Sequence, residues 1–207
     1  MLTVPLLEGQ YIRLVPLSPA HAEGLVAASA GDPALYQWSQ VPRGAEDVSR
    51  YIETALRLRD EGKAAPFATI RIADGAVIGS TRFFDLERFA WPAGHERHGR
   101  EHADVCEIGY TWLTAEAIRT AANTEAKLLM LTHAFEVWGM LRVCLHTDAR
   151  NERSRAAIER IGGKFEGMLR GHRMATDFTP RNSARYSIVE EEWPGVKERL
   201  TKRLYAE

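Results

Sequence analysis

One stretch constrains this chain more than any other: Cys106 to Ala126, CEIGYTWLTAEAIRTAANTEA, in which an apolar strand-like run passes through small residues into the opening of a helix. A strand that hands over to a helix in this way leaves backbone N–H groups and the positive end of the helix dipole aimed at one spot, which suits a phosphate. The stretch therefore reads as a pyrophosphate cradle. Neither G-x-G-x-x-G nor G-x-x-x-x-G-K-[ST] is present, which excludes a doubly wound dinucleotide fold.

The remaining elements build a sheet around that strand. Tyr11 to Leu17 alternates as a first strand, and Ser18 with Pro19 starts a helix reaching about Ser29. A second helix spans Ala45 or Glu46 to about Glu61, with Val48, Ile52, Ala55, Leu56 and Arg59 on one face and Gly62 at its end. Phe67 to Ile72 and Val77 to Leu86 flank Asp74-Gly75, a strong hairpin signal, so they should be antiparallel neighbours. Helices are expected over Thr124 to Trp138, Asn151 to Ile161 and from Trp193 onward, with strands at Arg142 to Thr147, Phe165 to Met174 and Tyr186 to Val189. This order predicts an α/β chain with a mixed sheet of about seven strands and helices on both faces.

With 207 residues, one domain over 1–207 is the expectation. Lys and Arg number 27 against 28 for Asp and Glu, and the charges are interspersed, which argues against nucleic acid or an anionic membrane as the main partner. The start, MLTVPLLEGQ, lacks the pattern of a signal peptide, and no stretch approaches the ~20 apolar residues of a membrane span, so a soluble, cytoplasmic protein is expected. Cys106 and Cys144 lie in apolar runs and read as small hydrophobes.

From Arg88 to Ala103 the chain is polar and irregular, longer than an average connection, and reads as a lid or a mobile loop. His95, His98 and His102 lie within it, but no neighbouring Cys or carboxylate pattern completes a metal site, and no metal is expected. Trp91 reads either as a lid residue or as a loop anchor.

Several segments, taken together and in order, carry a family resemblance: EGQYIRLVPLSPAHAEGL, EIGYTWL, NTEAKLLMLTHAFE, RVCLHTDARNERSRAAIERIGGKFEG and RYSIVEEEW. The chain resembles the GNAT-superfamily N-acetyltransferases, in the RimJ/RimL-like branch of ribosomal-protein N-terminal acetyltransferases and their small-molecule relatives. The resemblance implies a GNAT fold with a mostly antiparallel sheet, whose strand ending at Leu113 splays from the strand at Arg142 to Thr147 to admit the pantetheine arm of acetyl-CoA. It implies that the backbone of Tyr110, Trp112 and Leu113 binds the arm. Arg119, Thr120, Ala121, Ala122, Asn123 and Thr124 would wrap the pyrophosphate. Relatives usually carry a G-x-G turn where this chain has Arg119, Thr120, Ala121. Relatives are monomers or dimers, and either state is compatible with the sequence.

By the same resemblance Asn151 holds the pantetheine amides, although its position also fits a helix N-cap. Ser154 is the candidate acid for the departing thiolate, because Ile158 stands where many members place a tyrosine. A thiol of pKa near ~8.5 needs little such help. The attacking amine sets the larger demand: an α-amine pays ~1.4 kcal/mol to be neutral at pH 7, a lysine-like amine ~4.6 kcal/mol. Glu107, a carboxylate inside VCEIGYTWL, is the candidate base, with a pairing to Arg82 or Arg142 as the alternative. Trp38 and Tyr186, with Trp112, would line the acceptor pocket, and Asn182 stands where relatives often carry Asp. The implied reaction is acetyl transfer from acetyl-CoA to a primary amine, a protein N-terminus or, more in keeping with a closing 88–103 loop, a small molecule. The alternative is a non-catalytic acyl-CoA-binding domain.

Overall fold

The computed structural model describes residues 4–206. The chain runs β1 (Leu7–Glu8), β2 (Ile12–Pro16), α1 (Ala22–Ser29), α2 (Gly44–Asp60), β3 (Ala64–Arg71), β4 (Val77–Glu87) and β5 (Val105–Leu113). It continues through α3 (Ala121–Thr132), β6 (Arg142–Asp148), α4 (Glu152–Arg160), β7 (Lys164–Met174), β8 (Pro180–Val189) and α5 (Trp193–Tyr205). The eight strands form one sheet in the order β1-β2-β3-β4-β5-β6-β8-β7. Every neighbouring pair is antiparallel except β5 and β6. The eighth strand, absent from the seven expected, is the two-residue β1, too short to show any alternation.

Local chemistry explains most boundaries. Asp74 and Gly75 close the β3–β4 turn, with Gly75 at φ +73° and Arg71 held on Asp74 at 2.7 Å. α2 buries Val48, Ile52 and Ala55, and Gly62 at φ +70° follows its end. α1 begins only at Ala22, because Pro19–His21 forms a tighter 3₁₀ turn first. β8 starts six residues before the expected Tyr186: PRNSAR carries no apolar alternation, yet it pairs with both β6 and β7.

One core gathers Phe67, Phe83, Met130, Leu131, Trp138 and Tyr186 with the inner face of α5. The other gathers Leu17, Leu25, Val48, Ile52 and Trp112 beneath α1 and α2. Trp193 completes the first core, stacked on Phe135 and donating to Glu136 Oε1 at 2.7 Å. α3 is fixed to the opening strands by Glu125, whose carboxylate accepts the backbone N–H groups of Gln10, Tyr11 and Ile12 at 2.7, 2.8 and 2.8 Å. Three backbone bonds to one buried carboxylate hold the start of α3, and the turn before it, in place. Cys106 and Cys144 are both buried free thiols. Among the described residues, no helix is long and apolar enough to cross a membrane.

Candidate active site

The site lies where the sheet opens. β5 and β6 share a ladder only over Val105–Arg142, Cys106–Val143 and Glu107–Cys144. Beyond Glu107, β5 stays with β4 and β6 stays with β8, so the two strands part. The wedge between them is a cleft of about 710 Å³, walled by Ile108 to Leu113 on one side and Leu145 to Thr147 on the other. A strand edge without a neighbour offers N–H and C=O groups that an extended amide-bearing ligand can satisfy.

The wall from β5 is irregular at its middle. Thr81 of β4 faces two residues of β5, Tyr110 and Thr111, because the register shifts between Ser80 and Arg82. This bulge puts Tyr110 at φ +51° and re-aims its backbone at the cleft's edge. Trp112 also lines the cleft, with its indole packed in the α1–α2 core. Leu113 is partly committed already: its carbonyl accepts the Tyr36 hydroxyl at 2.9 Å.

The cradle follows at the start of α3. Thr120 is the N-cap, accepting Ala122 N at 3.2 Å and donating to Ala117 O at 2.8 Å. Arg119, Thr120, Asn123 and Thr124 line the cleft, whereas Ala121 and Ala122 do not, since Ala122 turns into the core. Arg119 sits at φ +65°, a conformation glycine adopts at least cost, which gives a reason for the glycine usual there. One and a half turns further, Lys127 also faces the cleft although it is buried. Its ammonium donates to Thr111 Oγ1 at 2.7 Å, and burial pushes its pKa down to about 7.

α4 forms the opposite wall. Asn151 Oδ1 accepts Ser154 N at 3.0 Å, so the N-cap role is realised, and the amide NH₂ of the same side chain is left for a ligand. Ser154 and Ile158 line the cleft on the following turns.

Glu107 sits at the apex of the wedge, and its partner is neither Arg82 nor Arg142. Its Oε2 lies 2.6 Å from His146 Nδ1, with both side chains nearly excluded from solvent. The register supplies the reason: Cys144 is opposite Glu107, so His146, two residues on, projects on the same sheet face. Arg142 pairs with Glu166 on β7, and Arg82 lies between the rings of Tyr51 and Tyr110, 4.9 and 4.2 Å from their centroids. An ionised carboxylate only accepts, so Nδ1 carries the proton and Nε2 of a neutral ring is the acceptor. Nε2 is buried and has no partner among the described residues. His146 was not among the residues singled out from the sequence; its signal is a histidine inside an apolar strand, readable only with the parallel register.

The remaining expectations divide. Trp38 lines the cleft with Arg150 over its ring at 4.1 Å. Tyr186 does not: on β8, it is fully buried in the core, its hydroxyl accepting from Arg155 Nε at 3.0 Å and donating to Glu159 Oε1 at 3.2 Å. Asn182 Oδ1 accepts Gly171 N at 2.9 Å, a strand-pairing role within the β7–β8 hairpin.

None of the residues of the 88–103 loop lines the cleft. Trp91 anchors it through Nε1 to Asp104 Oδ1 at 2.9 Å, and Arg97 ties it to Gly139 O and Glu190 at 2.8 and 3.1 Å. His95 stacks on Trp91, His98 meets the Trp91 carbonyl at 2.7 Å, and His102 faces Trp138. Among the described residues, no group of three His, Cys, Asp or Glu side chains is placed to hold a metal ion.

The charge of the cleft is one-sided. Arg119, Lys127, Arg153, Arg160, Arg173 and Arg181 line it against Glu107 alone, which suits anionic ligand groups.

A family model described as an acetyltransferase (GNAT) domain matches residues 12–164. A protein of Bacillus subtilis (strain 168) named as a ribosomal N-acetyltransferase, YdaF, is 35% identical over 91 residues, a stretch spanning 44% of this chain and 49% of that protein. The crystal structure of a GCN5-related N-acetyltransferase from Brucella melitensis superposes with a TM-score of 0.82 at 28% identity, covering 97% of this chain and 86% of that one. Mycobacterium smegmatis RimJ, solved in complex with CoA-disulfide, shares the fold with a TM-score of 0.75 at 19% identity over 93% and 88% of the two chains. With its parted β5 and β6 and its polar cradle at the head of α3, the chain belongs to the GNAT acetyltransferase family.

Proposed function

We propose that the chain is a single-domain N-acetyltransferase that moves the acetyl group of acetyl-CoA to a primary amine by direct attack within a ternary complex. The observation that carries this reading is the free edge of β5 past Glu107, facing Asn151 and Ser154 across the cleft. That pairing supplies backbone groups and a side-chain amide for the amides of pantetheine, with the α3 N-terminus and Arg119 placed for phosphates.

The chemistry then falls to the apex. His146 Nε2 accepts the proton of the incoming ammonium, while Glu107 fixes the ring and stabilises the imidazolium that forms. A positioned base of this kind is worth roughly 10²–10⁴ in rate, which covers much of the ~4.6 kcal/mol that a lysine-like amine needs to be neutral at pH 7. Backbone N–H at the Tyr110 bulge faces the thioester carbonyl, where negative charge builds. As the C–N bond forms and the C–S bond breaks, Ser154 passes its proton to the departing sulfur and takes up the second proton shed by the amine, a relay sufficient for a thiol of pKa near ~8.5.

Incubation with acetyl-CoA and panels of amines and peptides, read by mass spectrometry, tests this reading. Acetylation of any member supports it. Stabilisation by acetyl-CoA without turnover on either panel would favour the alternative, a domain that binds acyl-CoA without catalysis.

A further inference from the structure

Arg173 on β7 and Arg181 on β8 are register partners, directly opposite each other, and both line the cleft. Like charges in that relation cost a sheet stability. Arg173 offsets the cost through Asp85 at 3.1 Å. Arg181 does not: it is half-buried, has no carboxylate partner among the described residues, and donates Nε to Ser183 Oγ at 2.9 Å. The nearest acids are already committed, Asp148 to Arg150 at 2.9 Å and Glu107 to His146. Burial and the Arg173 charge both act to weaken the Arg181 cation, as expected for a guanidinium that lacks its anion.

The two arginines stand apart from the cradle. Ser183 Oγ also meets His172 Nδ1 at 3.1 Å, and the His172 ring lies 5.2 Å from that of His146. A contiguous polar tract therefore runs from the catalytic apex through His172 and Ser183 to Arg181. The phosphate cradle belongs to α3, on a different element of the cleft wall.

We propose that the acceptor is an amine that also carries a carboxylate, with Glu107 and His146 receiving the amine and Arg181, supported by Arg173, receiving the carboxylate. This rests on the amine-transfer reading above. The carboxylate has two sources, the α-carboxylate of a free amino acid or an acidic side chain at a peptide N-terminus.

The test uses the full chain. Kinetics with acetyl-CoA compare free amino acids with their α-amides, and peptides beginning with Asp or Glu with those beginning with Asn or Gln. In one of the two arms, which identifies the source, the carboxylate-bearing partner should show kcat/KM at least tenfold higher. Arg181→Gln should bring that ratio to within about twofold, and Arg181→Lys should keep part of it, with thermal melts confirming that both variants fold. Calorimetric titration of the same pairs in the presence of CoA reads the anion site without turnover. A binding preference for the carboxylate that Arg181→Gln removes supports the site even where no amine is acetylated, an outcome that would overturn the transfer reading alone. Equal kcat/KM and equal binding within every pair, or a preference untouched by Arg181→Gln, overturns the proposal.

Discussion

His146 Nδ1 lies 2.6 Å from Glu107 Oε2, joining a residue of the last backbone pair between β5 and β6 to one two positions past it. The side-chain bond thus takes over where the ladder stops and closes the apex of the wedge. If the pair acts as one base, His146→Gln and Glu107→Gln should each lower kcat roughly 10²-fold or more on a lysine-like amine. The double variant should be little worse than either single one, because residues acting as a unit are not additive. The loss should shrink for an α-amine, which is partly neutral at pH 7. Steady-state kinetics on the two amine types checks this, and independent, multiplying effects would show that the residues do not form one base.

Asn151 carries two roles on two atoms, and a substitution can separate them. Oδ1 caps α4 on Ser154 N, while under the proposed function the NH₂ group donates to a pantetheine carbonyl. Asn151→Asp keeps the cap and removes the donor, so melting should be nearly unchanged while affinity for CoA falls. Asn151→Ala removes both and should also cost about 1 kcal/mol of stability. Calorimetric titration with CoA beside thermal melts distinguishes the two. Ser154→Ala should instead lower kcat with little effect on CoA affinity.

Arg119 holds a left-handed backbone at φ +65° with an exposed side chain. Arg119→Gly should relieve this strain, gaining up to about 1 kcal/mol, or roughly 2–4 °C in Tm for a chain of this size. If the cradle binds phosphate mainly through the α3 N–H groups, CoA affinity should be kept. A tenfold or greater loss on this substitution, steepest at low salt, would assign the guanidinium to the phosphate site.

The legible part of this chain was what local pattern encodes. Asp74-Gly75 set a hairpin, Val48, Ile52 and Ala55 a helix face, and Asn151 a cap that also reaches the cleft. The illegible part depended on register between distant strands. His146 meets Glu107 only because β5 and β6 run parallel with Cys144 opposite Glu107. Tyr186 misled because an aromatic on a strand reads the same whether its ring faces a cleft or, as here, the core. The 88–103 loop, long and polar enough to suggest a lid, has no residue in the cleft wall and is tied to Asp104, Gly139 and Glu190.

Lys127 offers a prediction that does not depend on any ligand. Its ammonium is buried against Thr111 and Thr81, at 2.7 and 3.4 Å, with no carboxylate partner among the described residues, and burial lowers its pKa to about 7. In the unfolded chain the same amine titrates near ~10.4. Above that value both states are neutral there and folding pays nothing. As pH falls towards 7 the unfolded chain binds a proton that the folded chain does not, so stability drops through this window and levels off below it. Lys127→Met, similar in length and uncharged, leaves Thr81 and Thr111 bonded to each other at 2.8 Å. The variant should therefore be more stable than the parent at pH 7, by an amount on the order of a few kcal/mol, and the advantage should vanish as pH approaches 10. Denaturant unfolding of both proteins at pH 7, 8.5 and 10 reads the difference directly. A difference that does not change with pH would mean that Lys127 gains or loses its proton alike in the folded and unfolded states.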